Sequence, residues 1–97
     1  MRKIAFIDVD DTLVRSAGSK RIRMPATIEY VRELHRDSFE LYCWSAGGAD
    51  YARSSAVELG IADCFAGFLP KPTLILDDQA PEEWPGFRHI HPASLPL

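Results

Sequence analysis

Three aspartates stand close together near the start of the chain, Asp8, Asp10 and Asp11, directly behind the apolar run Ile4-Ala5-Phe6-Ile7. Carboxylates at close range repel by roughly 4 kcal/mol per pair at intermediate dielectric, so such a group implies a compensating turn, proton or cation. Acids so placed can combine nucleophilic attack with acid and base catalysis. They can also hold a hard divalent cation, which takes oxygen ligands. A second acidic pair, Asp77-Asp78, ends a second apolar run, Thr73-Leu74-Ile75-Leu76. Between the two lie Ser45, heading Ser45-Ala46-Gly47-Gly48, and Lys71, within Pro70-Lys71-Pro72. A hydroxyl and backbone N–H groups in a glycine loop can grip an oxyanion, and a lysine can cancel its charge. Each group also has a plainer reading: Asp and Ser suit turns and helix caps, and Lys71 can be a solvated side chain on a stiff loop. Their placement on the fold decides between the two.

The elements that position them follow from periodicity. Residues 3–7 form a continuous apolar run, the pattern of a parallel strand covered on both faces. A polar, glycine-containing loop, Leu13 to Met24, follows. Pro25 fits the first turn of a helix in which Ile28, Val31 and Leu34 recur at helical spacing, ending around residues 36–38. Residues 39–44 read as a second strand, and 45–48 as a loop. Ala52, Ala56 and Leu59 mark a second helix opened near Asp50 and closed by Gly60, with Ile61 making the contact that follows a glycine cap. Residues 65–69 form a short third strand, 73–76 a fourth, and 87–91 a fifth at an edge. Alternating strands and helices predict a small doubly wound, Rossmann-like α/β fold with a parallel sheet. In such sheets ligands bind beyond the carboxyl ends of the strands, where all three polar clusters would meet.

The order Asp8-x-Asp10-x-Thr12, Ser45, Lys71, Asp77-Asp78, each at the expected strand end, resembles the haloacid dehalogenase superfamily, and its four short motifs span residues 4–78. The second aspartate of the first motif is similar to the phosphatase branch. The resemblance implies that Asp8 is a nucleophile forming an aspartyl phosphate and that Asp10 is the general acid and base. It implies a Mg²⁺ held by Asp8, the Asp10 backbone carbonyl and mainly Asp78, with Asp77 as the weaker candidate. Ser45, with backbone N–H groups from Ala46 onward, and Lys71 would bind the phosphoryl group, and Thr12 would orient the first loop. Asp11 belongs to the loop backbone. The chain departs from the family pattern in one place: only five residues separate Lys71 from Asp77, where relatives insert a helix. Lys20 or Arg15 is the alternative cation if Lys71 does not reach. No stretch is long enough for a cap domain, which implies an open site for a bulky phosphorylated substrate, or a second subunit acting as lid.

The totals bound the remaining readings. At 97 residues the chain is expected to fold as one domain, and 46% hydrophobic with 26% charged residues is ordinary globular composition. A net charge of -3 argues against a nucleic-acid partner, which needs a basic footprint. The apolar stretch behind Met1-Arg2-Lys3 is too short for a secretory signal and no run spans a membrane, so a cytoplasmic protein is expected. Cys43 and Cys64 read as buried free thiols. The first loop carries Arg15, Lys20, Arg21 and Arg23, either a solvated basic face or a guide for an anionic substrate. His89 and His91 lack the further ligands of a zinc site, and His35 reads as helix surface. Trp44 and Trp84 read as packing residues. Two rivals remain: a receiver-like phospho-acceptor domain, which shares an acidic pair and a Lys-Pro dipeptide, and a degenerate fold kept as a binding module. In receivers the Lys-Pro follows the last strand, whereas Lys71-Pro72 precedes an acidic strand end.

Overall fold

The computed structural model of the chain describes residues 2–96. Strand β1 (Ile4–Asp8) leads through a tight loop to a hairpin of β2 (Val14–Ala17) and β3 (Lys20–Arg23). Helix α1 (Pro25–Arg36), β4 (Glu40–Ser45), α2 (Ala49–Glu58) and β5 (Gly67–Pro70) follow. The stretch expected as a loop is therefore a hairpin, closed by the two residues Gly18-Ser19 with Ala17 opposite Lys20. Gly18 sits at φ 63, the left-handed backbone that a two-residue hairpin turn requires.

Both helices start and stop where local chemistry directs. Pro25 occupies the first turn of α1, where its missing N–H has no intrahelical partner to lose. Thr27, Ile28, Val31 and Leu34 form its buried side. Helix α2 ends in a Schellman arrangement: Gly60 at φ 75 donates its N–H to the Val57 carbonyl, and Ile61 donates to the Ala56 carbonyl at 3.0 Å. Ile61 is fully buried, so the cap is also a core contact.

Strands β1, β4 and β5 form a parallel sheet in the order β1-β4-β5. The register pairs Asp8 with Trp44 and Ser45 with Pro70, which brings the ends of all three strands to one sheet edge. Leu41, Cys43 and Ser45 point to one buried face. Leu41 and Cys43 share a single core with Ile28, Val31 and Leu34 of α1 and Ala52 and Ala56 of α2. Both helices thus cover the same face. Two right-handed crossovers that step in the same direction across a sheet must do this. The opposite face carries Phe6, Tyr42 and Trp44, with the Phe6 ring centroid 4.8 Å from that of Trp44 and 5.4 Å from that of Tyr42.

The architecture is α/β, with a three-stranded parallel sheet and a two-stranded antiparallel one. Two expected strands are not formed. Residues 73–76 and 87–91 lie outside any sheet, and Leu74 and Leu76 are 78% and 96% exposed. A parallel return needs a connection of a dozen or more residues, and only Lys71-Pro72 separates β5 from Thr73. Without a strand on the far side of β1 the strand order never reverses, and helices have no reason to cover the second face. Among the described residues no helix is long and apolar enough to cross a membrane.

Candidate functional site

The first loop is pinned from beneath. Val9 and Leu13 are fully buried, and the Val9 carbonyl accepts the N–H groups of Thr12, Leu13 and Val14. With Val9 turned into the core, Asp8 and Asp10 on either side face the sheet edge. Asp11 adopts φ 61 and donates its N–H to the Val14 carbonyl, so the third acid makes the left-handed turn that Asp tolerates better than most residues. That is the loop role expected of it.

Asp8 lies between a hydroxyl donor and a cation from different segments. The Thr12 hydroxyl donates to Asp8 Oδ2 at 3.1 Å, and Lys71 Nζ lies 3.8 Å from Asp8 Oδ1. Lys71 therefore reaches the site despite its short spacing from Asp77. Its backbone explains how: the Lys71 N–H donates to the Ser45 carbonyl at 2.8 Å, which fastens the segment to the end of β4. Arg15 and Lys20 stay exposed on the hairpin.

Ser45 is only 1% exposed. Its Oγ accepts the Gly47 N–H at 3.0 Å, and its carbonyl accepts the Gly48 N–H at 3.0 Å. The hydroxyl thus shapes the 45–48 turn and keeps its own proton to donate, while Ala46 lies exposed at the turn's outer side. Gly48, at φ 105, takes a backbone that other residues rarely adopt.

A residue that sequence reasoning missed completes the group. Tyr51 Oη donates to Asp10 Oδ1 at 2.6 Å, and Arg21 Nη2 donates to Tyr51 Oη at 3.2 Å. The hydrogen bond to Asp10, then burial, raises the Tyr51 pKa, because losing the phenolic proton would set two negative charges face to face. Arg21 also bonds Glu58 and Ser55, and Arg23 donates to the Glu58 and Leu59 carbonyls. Two of the four basic loop residues are thereby committed to α2 and fasten the hairpin to it. The signal was available in principle: in the first turn of a helix, side chains lean back toward the N-terminus, here over the glycine loop.

No protein-family model matches the chain, and searches of curated proteins and of solved structures return no match either.

The remaining candidates lie elsewhere. Asp77 and Asp78 are exposed, and the Gln79 N–H, 2.9 Å from Asp77 Oδ1, is the main cause holding the Asp77 carboxyl below its usual range. Among the described residues no three His, Cys, Asp or Glu side chains gather closely enough to hold a metal ion. His91 Nδ1 accepts the Ala93 N–H and caps a short turn. Trp84 packs edge-on against Phe87 at 5.4 Å. Both cysteines are free; Cys43 is buried as expected, whereas Cys64 is only partly covered. Burial, followed by the nearby Asp8 charge, pushes the Cys43 thiol up to about 12.

Proposed function

We propose that the chain is a small, uncapped phosphomonoesterase of the haloacid dehalogenase type, acting through an aspartyl phosphate on Asp8. One observation supports this above the others: Asp8 is held between the Thr12 hydroxyl and the Lys71 ammonium at a sheet edge, with Asp10 two residues on. An ordinary acidic turn needs neither a lysine from a segment sixty residues away nor a tyrosine steering its second acid.

In this reading Thr12 fixes one Asp8 oxygen and leaves the other to attack phosphorus. Lys71 offsets the negative charge that carboxylate and phosphoryl group bring together. Asp10, oriented by Tyr51, gives its proton to the departing ester oxygen as the phosphorus–oxygen bond breaks, leaving the phosphoryl group on Asp8. Asp10 then takes a proton from water, whose oxygen attacks phosphorus and releases phosphate with Asp8 restored. In this reading the turn that carries Ser45 and Ala46 would offer the Ser45 hydroxyl and the Ala46 N–H to the phosphoryl oxygens.

Mg²⁺ is the cation this reading calls for, and an Asp8 carboxylate oxygen with the Asp10 backbone carbonyl would supply the oxygen ligands that suit it. Bound there, it would neutralise charge on the transferring phosphoryl group. Asp78, with Asp77 beside it, is the further acid assigned to that ion. A site without a cap suits a bulky phosphorylated substrate. Free thiols at Cys43 and Cys64 suit a reducing, cytoplasmic setting.

The test is phosphate release from an aryl phosphate with and without Mg²⁺, in the wild type, Asp8→Asn and Asp10→Asn. Metal-dependent turnover lost in both variants is the expected result. Stoichiometric labelling by acetyl phosphate without turnover would replace the enzyme by a phospho-acceptor domain, and neither labelling nor turnover would leave a binding module.

A further inference from the structure

Among the described residues strand β1 has a hydrogen-bonded neighbour on one side only, β4. No strand among the described residues pairs with its other edge, and Ile4 and Phe6, on the face opposite the two helices, are 59% and 46% exposed. A strand edge of this kind pairs with whatever extended segment reaches it. The same chain carries a short apolar segment outside any sheet, Thr73-Leu74-Ile75-Leu76, in which Leu74, Ile75 and Leu76 are exposed.

The segment cannot serve its own β1. A position outside β1 lies three strand spacings from β5, about 14 Å at about 4.8 Å each. From Pro70 to Thr73 a fully stretched backbone covers at most about 11 Å. Parallel pairing asks for more. Pro70 is level with Ser45, just past the end of β1, whereas Thr73 would have to start beside Ile4. That adds about 16 Å along the strand, at about 3.3 Å per residue. Pro72 also keeps Lys71 out of the helical region, which leaves this short connection little freedom to fold back. A second copy has no such limit.

We propose that Thr73–Leu76 of each copy adds in parallel to the open edge of β1 in a second copy, closing a two-fold dimer by exchange of this strand. With Thr73 beside Ile4, Leu74 and Leu76 flank Ala5 and Ile7, which already pack against the core, and Ile75 flanks the exposed Phe6. Asp77 then arrives beside Asp8 of the partner subunit, and Asp78 beside the first loop. A second pair of acids is thereby set beside Asp8 across the dimer, which in this one respect deepens the phosphatase reading. Closed exchange makes both contacts identical, as two-fold symmetry requires. It also gives each sheet the strand beyond β1 whose absence leaves the fold unreversed.

The test is sedimentation of the whole chain across micromolar concentrations, read without substrate, so that its failure and the failure of the enzymatic reading are separate results. The wild type is expected at twice the 10.9 kDa monomer mass. Insertion of about fifteen Gly/Ser residues between Pro72 and Thr73, whose mean span is about 21 Å, lets each segment close on its own β1 and is expected to give monomers. Leu74→Lys with Leu76→Lys is expected to give monomers too, with unchanged circular dichroism because both side chains are solvent-exposed in the single chain. A monomeric wild type, or a dimer that survives either change, overturns the proposal.

Discussion

Removing one oxygen atom separates the role of Tyr51 from its packing. Tyr51→Phe keeps the ring beneath Arg21, whose guanidinium carbon lies 5.5 Å from the ring centroid, and deletes only the donor 2.6 Å from Asp10 Oδ1. A hydrogen bond to a charged group contributes about 1.5–3 kcal/mol when well shielded. Asp10 is exposed, so solvent screening reduces the expectation to about 1 kcal/mol. For a domain of this size that lowers Tm by roughly 4–8 °C. Urea unfolding of the wild type, Tyr51→Phe, Asp10→Ala and the double variant isolates the pair, because losses that Asp10 or Tyr51 suffers with other partners cancel in the cycle. A coupling of about 1 kcal/mol is expected; one within about 0.3 kcal/mol of zero is what independent sites give, and would refute the contact. If Asp10 moves the proton, the same substitution lowers kcat about tenfold, equivalent to about 1.4 kcal/mol, and leaves KM nearly unchanged. A KM effect alone would mean that Tyr51 binds substrate instead of steering Asp10.

Two further outcomes follow from the geometry. Cys43 rises from an ordinary 9.0 to about 12, so between those pH values the folded chain keeps a proton that the unfolded chain releases. Stability is full below pH 9 and falls by roughly 4 kcal/mol through that window, and Cys43→Ala should flatten the alkaline arm of a pH–stability curve; an unchanged arm would contradict the assignment. On the hairpin, Arg21→Met should cost stability by loosening the clamp on α2, whereas Arg15→Gln with Lys20→Gln should raise KM for an anionic substrate more at low salt than at high, because Arg21 and Arg23 are bonded to α2 and these two are not. A salt-dependent KM change in Arg21→Met with unchanged stability would reverse that division.

Much of the fold was legible because it rests on local signals. Pro25 at a helix start, Gly60 and Ile61 at a helix end, an apolar run for β1 and an aromatic-rich stretch for β4 each carry their meaning in a few residues. The hairpin escaped because Val14–Ala17 and Lys20–Arg23 are short and largely polar, and only Gly18-Ser19 announced the turn. The strand expected at 73–76 shows the opposite failure. Its composition suits a strand, but composition says nothing of whether an edge lies within reach. At the site, Asp8, Thr12 and Lys71 were readable from type and order, whereas Tyr51 depends on how the start of α2 leans over the first loop.

The reach of Lys71 and the homelessness of Thr73–Leu76 are one geometric fact. The hydrogen bond from the Lys71 N–H to the Ser45 carbonyl sets the chain at the end of β4, from which an extended lysine side chain crosses to Asp8. The same anchor fixes where the next residues must begin, two residues beyond β5 and past the top of the sheet. A longer connection would free the strand to return, but the anchor would then no longer dictate where the following acids emerge. The chain thus places its cation by keeping this segment short, and a short segment does not reach the far edge of its own β1.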